Sequence, residues 1–198
     1  VEHPGLRAVL VGVSLAGWGL LLFSTFLINH FDLFGLPQSF ALDMARLDQA
    51  YRDIQAEIHP DRFAHAGESE QRLAMQWTTK VNEAYLTLKK PFERARYLLL
   101  LNGVDAMDPK NTSMPADFIL KQMEWREALE AARGTRDMAA LEALERDLKA
   151  EARDMQAELA EQLDARRDYP RASNTLRELR FMDKLIAEIG DVYEELES

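Results

Sequence analysis

Cysteine is absent from the 198 residues. Its absence excludes disulfides, a thiolate nucleophile, a Cys-ligated zinc site and direct thiolate ligation of a metal cluster. It fits a cytoplasmic setting, where thiol chemistry is not used to staple small domains. Proline and glycine are scarce, at seven and nine, and β-branched runs are nearly missing, so strands are not expected and helices are. Positive charge is in deficit too: 24 Lys and Arg stand against 34 Asp and Glu, a net of −10. A surface this acidic argues against nucleic acid as the main partner, because phosphate binding needs a basic face.

The deficit is uneven. Residues 31–102 carry nine Lys and Arg against ten Asp and Glu, a net of −1, whereas residues 103–198 carry 14 against 23, a net of −9. Two regions with such different balances are expected to meet different partners.

What is present begins with a long apolar run. Residues 8–28, "AVLVGVSLAGWGLLLFSTFLI", hold no charge, and as a helix at ~1.5 Å per residue they would extend ~31 Å, enough to cross a bilayer. Only Arg7 precedes the run, with no clear small-x-small cleavage site, which makes it poor as a cleavable signal. Residues 1–30 are therefore read as a hydrophobic leader, either a membrane anchor or translated sequence upstream of the working start. A membrane enters the reading only through this segment.

From residue 31 the pattern becomes helical. "HFDLFGLP" groups Phe31, Leu33, Phe34 and Leu36 and closes with Gly35 and Pro37. Asp43 suits an N-cap, and Leu47, Tyr51, Ile54 and Ile58 then make one helical stripe that should stop at His59, because Pro60 disfavours helical geometry before it. After a loop of about eight residues, a second helix near Glu68 carries Leu73, Trp77, Val81, Ala84, Tyr85 and Leu88. Two stripes joined by a short loop imply an antiparallel hairpin. "PFERARYLLLL" starts a further helix at Pro91, and residues 103–115 read as a linker with Gly103, Pro109 and Pro115. Three more helices follow over 116–198. The first ends at Gly134. The second carries Met138, Leu141, Leu144, Leu148, Met155, Leu159 and Leu163. The third follows the turn at Tyr169-Pro170 and carries Leu176, Leu179, Met182, Leu185, Ile189, Val192 and Leu196. Near-heptad stripes of this length make an antiparallel three-helix bundle. The fold class is all-α.

The chemistry-bearing residues sit in the hairpin loop, "EIHPDRFAH". His59, Asp61 and His65 could offer metal ligands, but no His-x-x-x-His register or fourth ligand accompanies them. His59 and Asp61 could serve as acid and base, yet two helices and a loop supply no evident pocket. The plainest alternative is a helix-terminating turn with a His at the negative end of the helix dipole.

The order of these features resembles a J-domain: a helix, then His59-Pro60-Asp61 with Arg62 and Phe63, then an antiparallel helix bearing Asn82, Glu83, Ala84, Tyr85 and Leu88 in "VNEAYLTLKKP". "HFDLFGLP", "PFERARYLLLLNG", "KQMEWREAL" at 121–129 and "LRELRFMDKL" at 176–185 further resemble the iron–sulfur cluster co-chaperone of the HscB type, over about residues 31–198. The resemblance implies a J-domain over 31–102 and a scaffold-binding bundle over 116–198. It implies a protein that is not an enzyme and has no cofactor of its own. Its tripeptide would stimulate ATP hydrolysis by an HscA/DnaK-type chaperone, with Arg46, Arg52 and Arg62 beside His59, Pro60 and Asp61 as chaperone-binding residues. The bundle would deliver an IscU-type scaffold for iron–sulfur cluster transfer, using Ile119, Leu120, Met123, Glu124 and Glu127, with Phe181 from the last helix. The five positions on the first bundle helix share one face, while Phe118, Trp125 and Leu129 lie on another and are core candidates.

Two departures accompany the likeness. Arg46 and Arg52 are interleaved with Asp48, Asp53 and Glu57, which dilutes the basic stripe expected to steer the chaperone, and the apolar leader is foreign to the family. The alternative function is a generic J-domain co-chaperone for unfolded clients, membrane-anchored if the leader is real.

Overall fold

The computed structural model describes residues 28–110 and 114–197; the apolar run at 8–28, all but its last residue, lies outside them. Among the described residues there are helices and turns but no strand, and no helix is long and apolar enough to cross a membrane. The chain divides into two compact units, the first ending at Arg94 and the second running Ala95–Ser198.

The first unit opens with the single-turn helix α1, His30–Leu33. Asn29 caps it by accepting from the Asp32 N–H at 3.0 Å. Gly35, at φ 61°, reverses the chain in the left-handed region that a Cβ disfavours. The reversal lets Phe31, Leu33, Phe34 and Leu36 all turn inward and become buried. Helix α2, Met44–Ile58, starts where Asp43 accepts from the Ala45 and Arg46 N–H groups at 3.0 and 3.1 Å. Helix α3, Glu68–Lys89, starts at Gly67, whose N–H donates to the Glu70 carboxylate at 3.3 Å. Leu47, Ala50 and Ile54 on α2 and Ala74, Val81, Ala84 and Leu88 on α3 form the buried seam.

The hairpin is antiparallel, as three cross-helix contacts require. Tyr51 meets Asn82, Asp48 meets Tyr85, and Asp48 meets Lys89, so the partner's number rises as the α2 number falls. Tyr51 and Tyr85 belong to the expected apolar stripes, yet both are only half-buried. Their rings stack at 4.0 Å, and their hydroxyls reach the edge of the seam, where a polar partner is needed. Tyr51 donates to Asn82 Oδ1 at 2.9 Å, Gln55 Nε2 to the same oxygen at 2.6 Å, and Tyr85 to Asp48 Oδ1 at 2.9 Å.

Helix α4 spans Pro91–Leu101. Arg94 in its first turn is buried and donates to the Leu88 carbonyl at 2.6 Å, with its guanidinium 5.0 Å from the Phe40 ring. It thereby satisfies a carbonyl at the end of α3 that has no helical donor. At the far end of α4, Gly103 at φ 76° closes the helix, and Val104 N–H reaches the Leu99 carbonyl at 2.9 Å.

In the second unit, α5 is Ala116–Thr135, α6 is Met138–Ala160, and α7 is Tyr169–Glu197. Arg126 pairs with Glu188 and Arg133 with Glu195. Both partners advance by seven, so α5 and α7 run parallel and α6 runs back between them. Leu129, Leu141, Leu148, Leu159, Leu176, Met182 and Leu185 fill the core.

Three turns differ from the sequence expectation. Tyr169-Pro170 do not form a turn ahead of α7 but lie in its first turn, where the N–H that proline lacks has no helical partner to lose. Gly134 does not end α5; the helix continues through it to Thr135, and Arg136 takes the left-handed cap at φ 52°. The reason is the next helix: Asp137 must sit outside α5 to cap α6, where it accepts from Ala140 N–H at 3.0 Å. α6 also extends through a π-helical turn, Glu161–Arg166, that buries Gln162 and Leu163 before Arg167 closes it at φ 54°.

Candidate functional site

Two separate surfaces hold the residues singled out by the sequence. The first is the tip of the hairpin. α2 ends at Ile58, and His59 takes an extended conformation (φ −55°, ψ 129°), as a residue before proline should. The loop is not irregular throughout: Pro60–Phe63 form a 3-10 turn. The turn is tied from several sides. Arg62 N–H donates to the His59 carbonyl at 3.0 Å, Asp61 N–H donates to His59 Nδ1 at 3.3 Å, and Arg62 Nη1 reaches back to the Ala56 carbonyl at 3.1 Å. From the other helix, Gln71 Nε2 donates to the carbonyls of Ala64 and Ala66.

This network fixes the role of each side chain. His59 Nδ1 accepts from the Asp61 backbone N–H, which orients the ring within the turn. Asp61 Oδ2 lies 3.5 Å from the same Nδ1, a contact that becomes an ion pair only when the ring is protonated. Asp61 is otherwise presented outward: its side chain is 90% exposed against 56% for His59. Arg62 spends part of its donor capacity on the open C-terminus of α2, where a cation is favoured.

Arg46 and Arg52 lie exposed on α2. Arg52 donates to Gln49 Oε1 at 2.7 Å, and Gln49 Nε2 donates to Asp53 at 2.7 Å. Asp48, adjacent in sequence, is committed elsewhere. Lys89 Nζ holds both of its oxygens at 2.6 and 2.9 Å, and together with Tyr85 keeps its carboxyl below the usual range. The sequence alone counts Asp48 against the basic stripe; in the fold its charge is met by Lys89 of α3.

The second surface is on α5. Ile119, Leu120 and Met123 are 43%, 61% and 64% exposed, and Glu124 and Glu127 are exposed beside them. Phe118 and Leu129 are buried and Trp125 half-buried, on the opposite face. One helix thus carries two apolar faces, only one of which the bundle covers. Phe181, from α7, meets Phe118 edge-on at 6.0 Å, and Arg126 lies 5.5 Å from its ring. At ~100° per residue, Arg126, Ile119 and Met123 fall within roughly 60° of arc. Phe181 therefore borders the exposed face on its α7 side.

Sequence reasoning missed Arg126, which joins the two helices by covering Phe181 and pairing with Glu188 at 3.4 Å. Its i+3 spacing from Met123 was a usable signal. Among the described residues no cluster of three or more His, Cys, Asp or Glu residues is placed to hold a metal ion. His65 is exposed.

Comparison with known proteins adds the context for both surfaces. Residues 114–190 match the family described as the HSCB C-terminal oligomerisation domain. The chain is 47% identical over 170 residues to the co-chaperone protein HscB homolog of Azoarcus sp., covering 86% of this chain and 96% of that protein. It is 49% identical over 169 residues to the homolog of Burkholderia mallei, covering 85% and 96%. Among solved structures, chaperone HscB from Vibrio cholerae superposes with a TM-score of 0.72 at 39% identity, over 85% of this chain and 99% of that one. Human co-chaperone HscB superposes with a TM-score of 0.73 at 28% identity, over 82% and 81%.

Proposed function

The chain belongs to the HscB family of co-chaperones, and from that premise we propose that it stimulates the ATPase of an HscA/DnaK-type chaperone while holding an IscU-type scaffold for iron–sulfur cluster transfer. The His59-Pro60-Asp61 turn is the trigger. Asp61 offers a free carboxylate at a bend whose backbone is already fixed, so little ordering entropy is lost when a partner arginine takes it in bidentate fashion. Arg46, Arg52 and Arg62 provide the positive surround that steers the chaperone. The protein performs no chemistry itself; hydrolysis occurs on the chaperone, in a cytoplasmic setting.

The bundle is the holder. Ile119, Leu120 and Met123 form the apolar centre of the scaffold contact, Phe181 extends it, and Glu124 and Glu127 supply a polar rim, the usual anatomy of a protein interface. The observation that carries the reading is the pair of unlike surfaces on one chain: an outward carboxylate at a braced turn, and three large apolar side chains left uncovered on α5.

The test mixes the protein with its cognate chaperone and scaffold and measures ATP turnover. Scaffold and co-chaperone together should accelerate turnover by more than the product of their separate effects. Equal acceleration by any unfolded peptide in place of the scaffold contradicts the iron–sulfur reading and supports a generic client-handling co-chaperone.

A further inference from the structure

A groove on α7 extends the surface around Phe181 and differs from it in charge. It is bordered by Arg177, Arg180, Phe181 and Lys184 of α7 and by Met107 and Asp108 of the preceding segment, with a cavity volume of about 270 Å³. Three cations thus face one carboxylate, inside a region whose net charge is −9. Asp108 is partly engaged by its own backbone, accepting from Lys110 N–H at 2.9 Å.

Some cations of the second unit are paired with carboxylates and others are not. Lys121, Arg126, Arg133, Lys149 and Arg166 each hold a carboxylate within 4.0 Å. Arg180 and Lys184 hold none among the described residues, although both are exposed and carboxylates are abundant nearby in sequence. The Arg180 guanidinium rests on the Met107 thioether instead, which limits its freedom without neutralising it.

We propose that Arg180 and Lys184, set on either side of Phe181 along α7, form a basic flank of the scaffold-binding surface and receive an acidic segment of the scaffold protein. The inference rests on the reading that the scaffold docks around Ile119, Met123 and Phe181. Continuity carries it: Phe181 belongs both to the groove and to the contact with Arg126 and Phe118. Charge complementarity argues for the occupant's chemistry, since two cations without a carboxylate partner beside an apolar anchor favour an acidic segment. Charges at a rim act chiefly on the association rate and are screened by salt, with a Debye length of about 10 Å at 0.1 M.

The experiment uses the full chain and the purified cognate scaffold, with association followed at low and high salt. Arg180→Glu with Lys184→Glu should slow association about tenfold at low salt and shrink the salt dependence, leaving stimulation of the chaperone in the absence of scaffold unchanged. Met123→Ala serves as the reference. If Met123→Ala weakens binding while the charge reversal changes neither rate nor salt dependence, the basic flank is wrong and the docking surface stands. If Met123→Ala has no effect either, the docking reading itself fails.

Discussion

In the hairpin, the seam between α2 and α3 ends in a ladder of polar contacts, and an exposed carboxylate sits on a braced turn. In the bundle, α5 buries one apolar face and leaves another in water. Met75 and Leu86 are also exposed on α3, but at eleven positions apart they stand roughly 16 Å from each other along the axis and form no patch. The hairpin therefore presents direction and charge, and the bundle presents area. A trigger that must engage and release a cycling ATPase needs little buried surface, whereas a holder needs enough to keep its cargo.

The largest expected effect is at the turn. Asp61→Asn keeps the shape of the side chain but removes its charge, and should abolish ATPase stimulation outright, measured as steady-state turnover of the chaperone. Next is Phe181→Ala, which removes an aromatic anchor at the border of the α5 face. A loss of scaffold affinity on the order of tenfold is expected by calorimetry.

Two further changes separate the internal supports of the units. Arg94→Met removes the donor to the Leu88 carbonyl and leaves that group buried, which should cost on the order of 2 kcal/mol, read as a lower urea midpoint. It should speed amide exchange in α2 and α3. The smallest effect is at Asp48. Its carboxyl is held below the usual range by hydrogen bonds from Lys89 and Tyr85, so its contribution is fully present above the ordinary carboxylate pKa and disappears as the pH falls through the depressed one. Amide exchange at Leu47 and Val81 should accelerate as the pH drops below the ordinary carboxylate range, once corrected for intrinsic exchange, and Asp48→Asn should flatten that dependence.

Much of this was legible in the sequence because helices announce their ends. Asp43, Glu68 and Pro91 mark helix starts that the structure keeps, and the stripes of α6 and α7 name most of their core. The apolar run at 8–28 stays a sequence reading, since it lies almost wholly outside the described residues. What periodicity cannot give is the partner across the seam. Tyr51 and Tyr85 have the spacing of core residues, and only the opposing helix shows that their hydroxyls lie at its edge. Asp48 counts as a neighbour of Arg46 along the chain, yet Lys89, forty-one positions away, holds it. Gly134 advertises a helix end, but Asp137's role as a cap moves that end to Arg136. Arg94 carries a charge that composition assigns to the surface, and an open carbonyl at the end of α3 draws it inside.

The central claim is that the two surfaces work independently, and it is tested most directly by crossed readouts on the two variants. Scaffold affinity of Asp61→Asn and scaffold-free ATPase stimulation by Phe181→Ala should both stay within about twofold of the unaltered protein. If each variant loses both activities, the hairpin tip and the bundle are one surface, and the division of labour is contradicted.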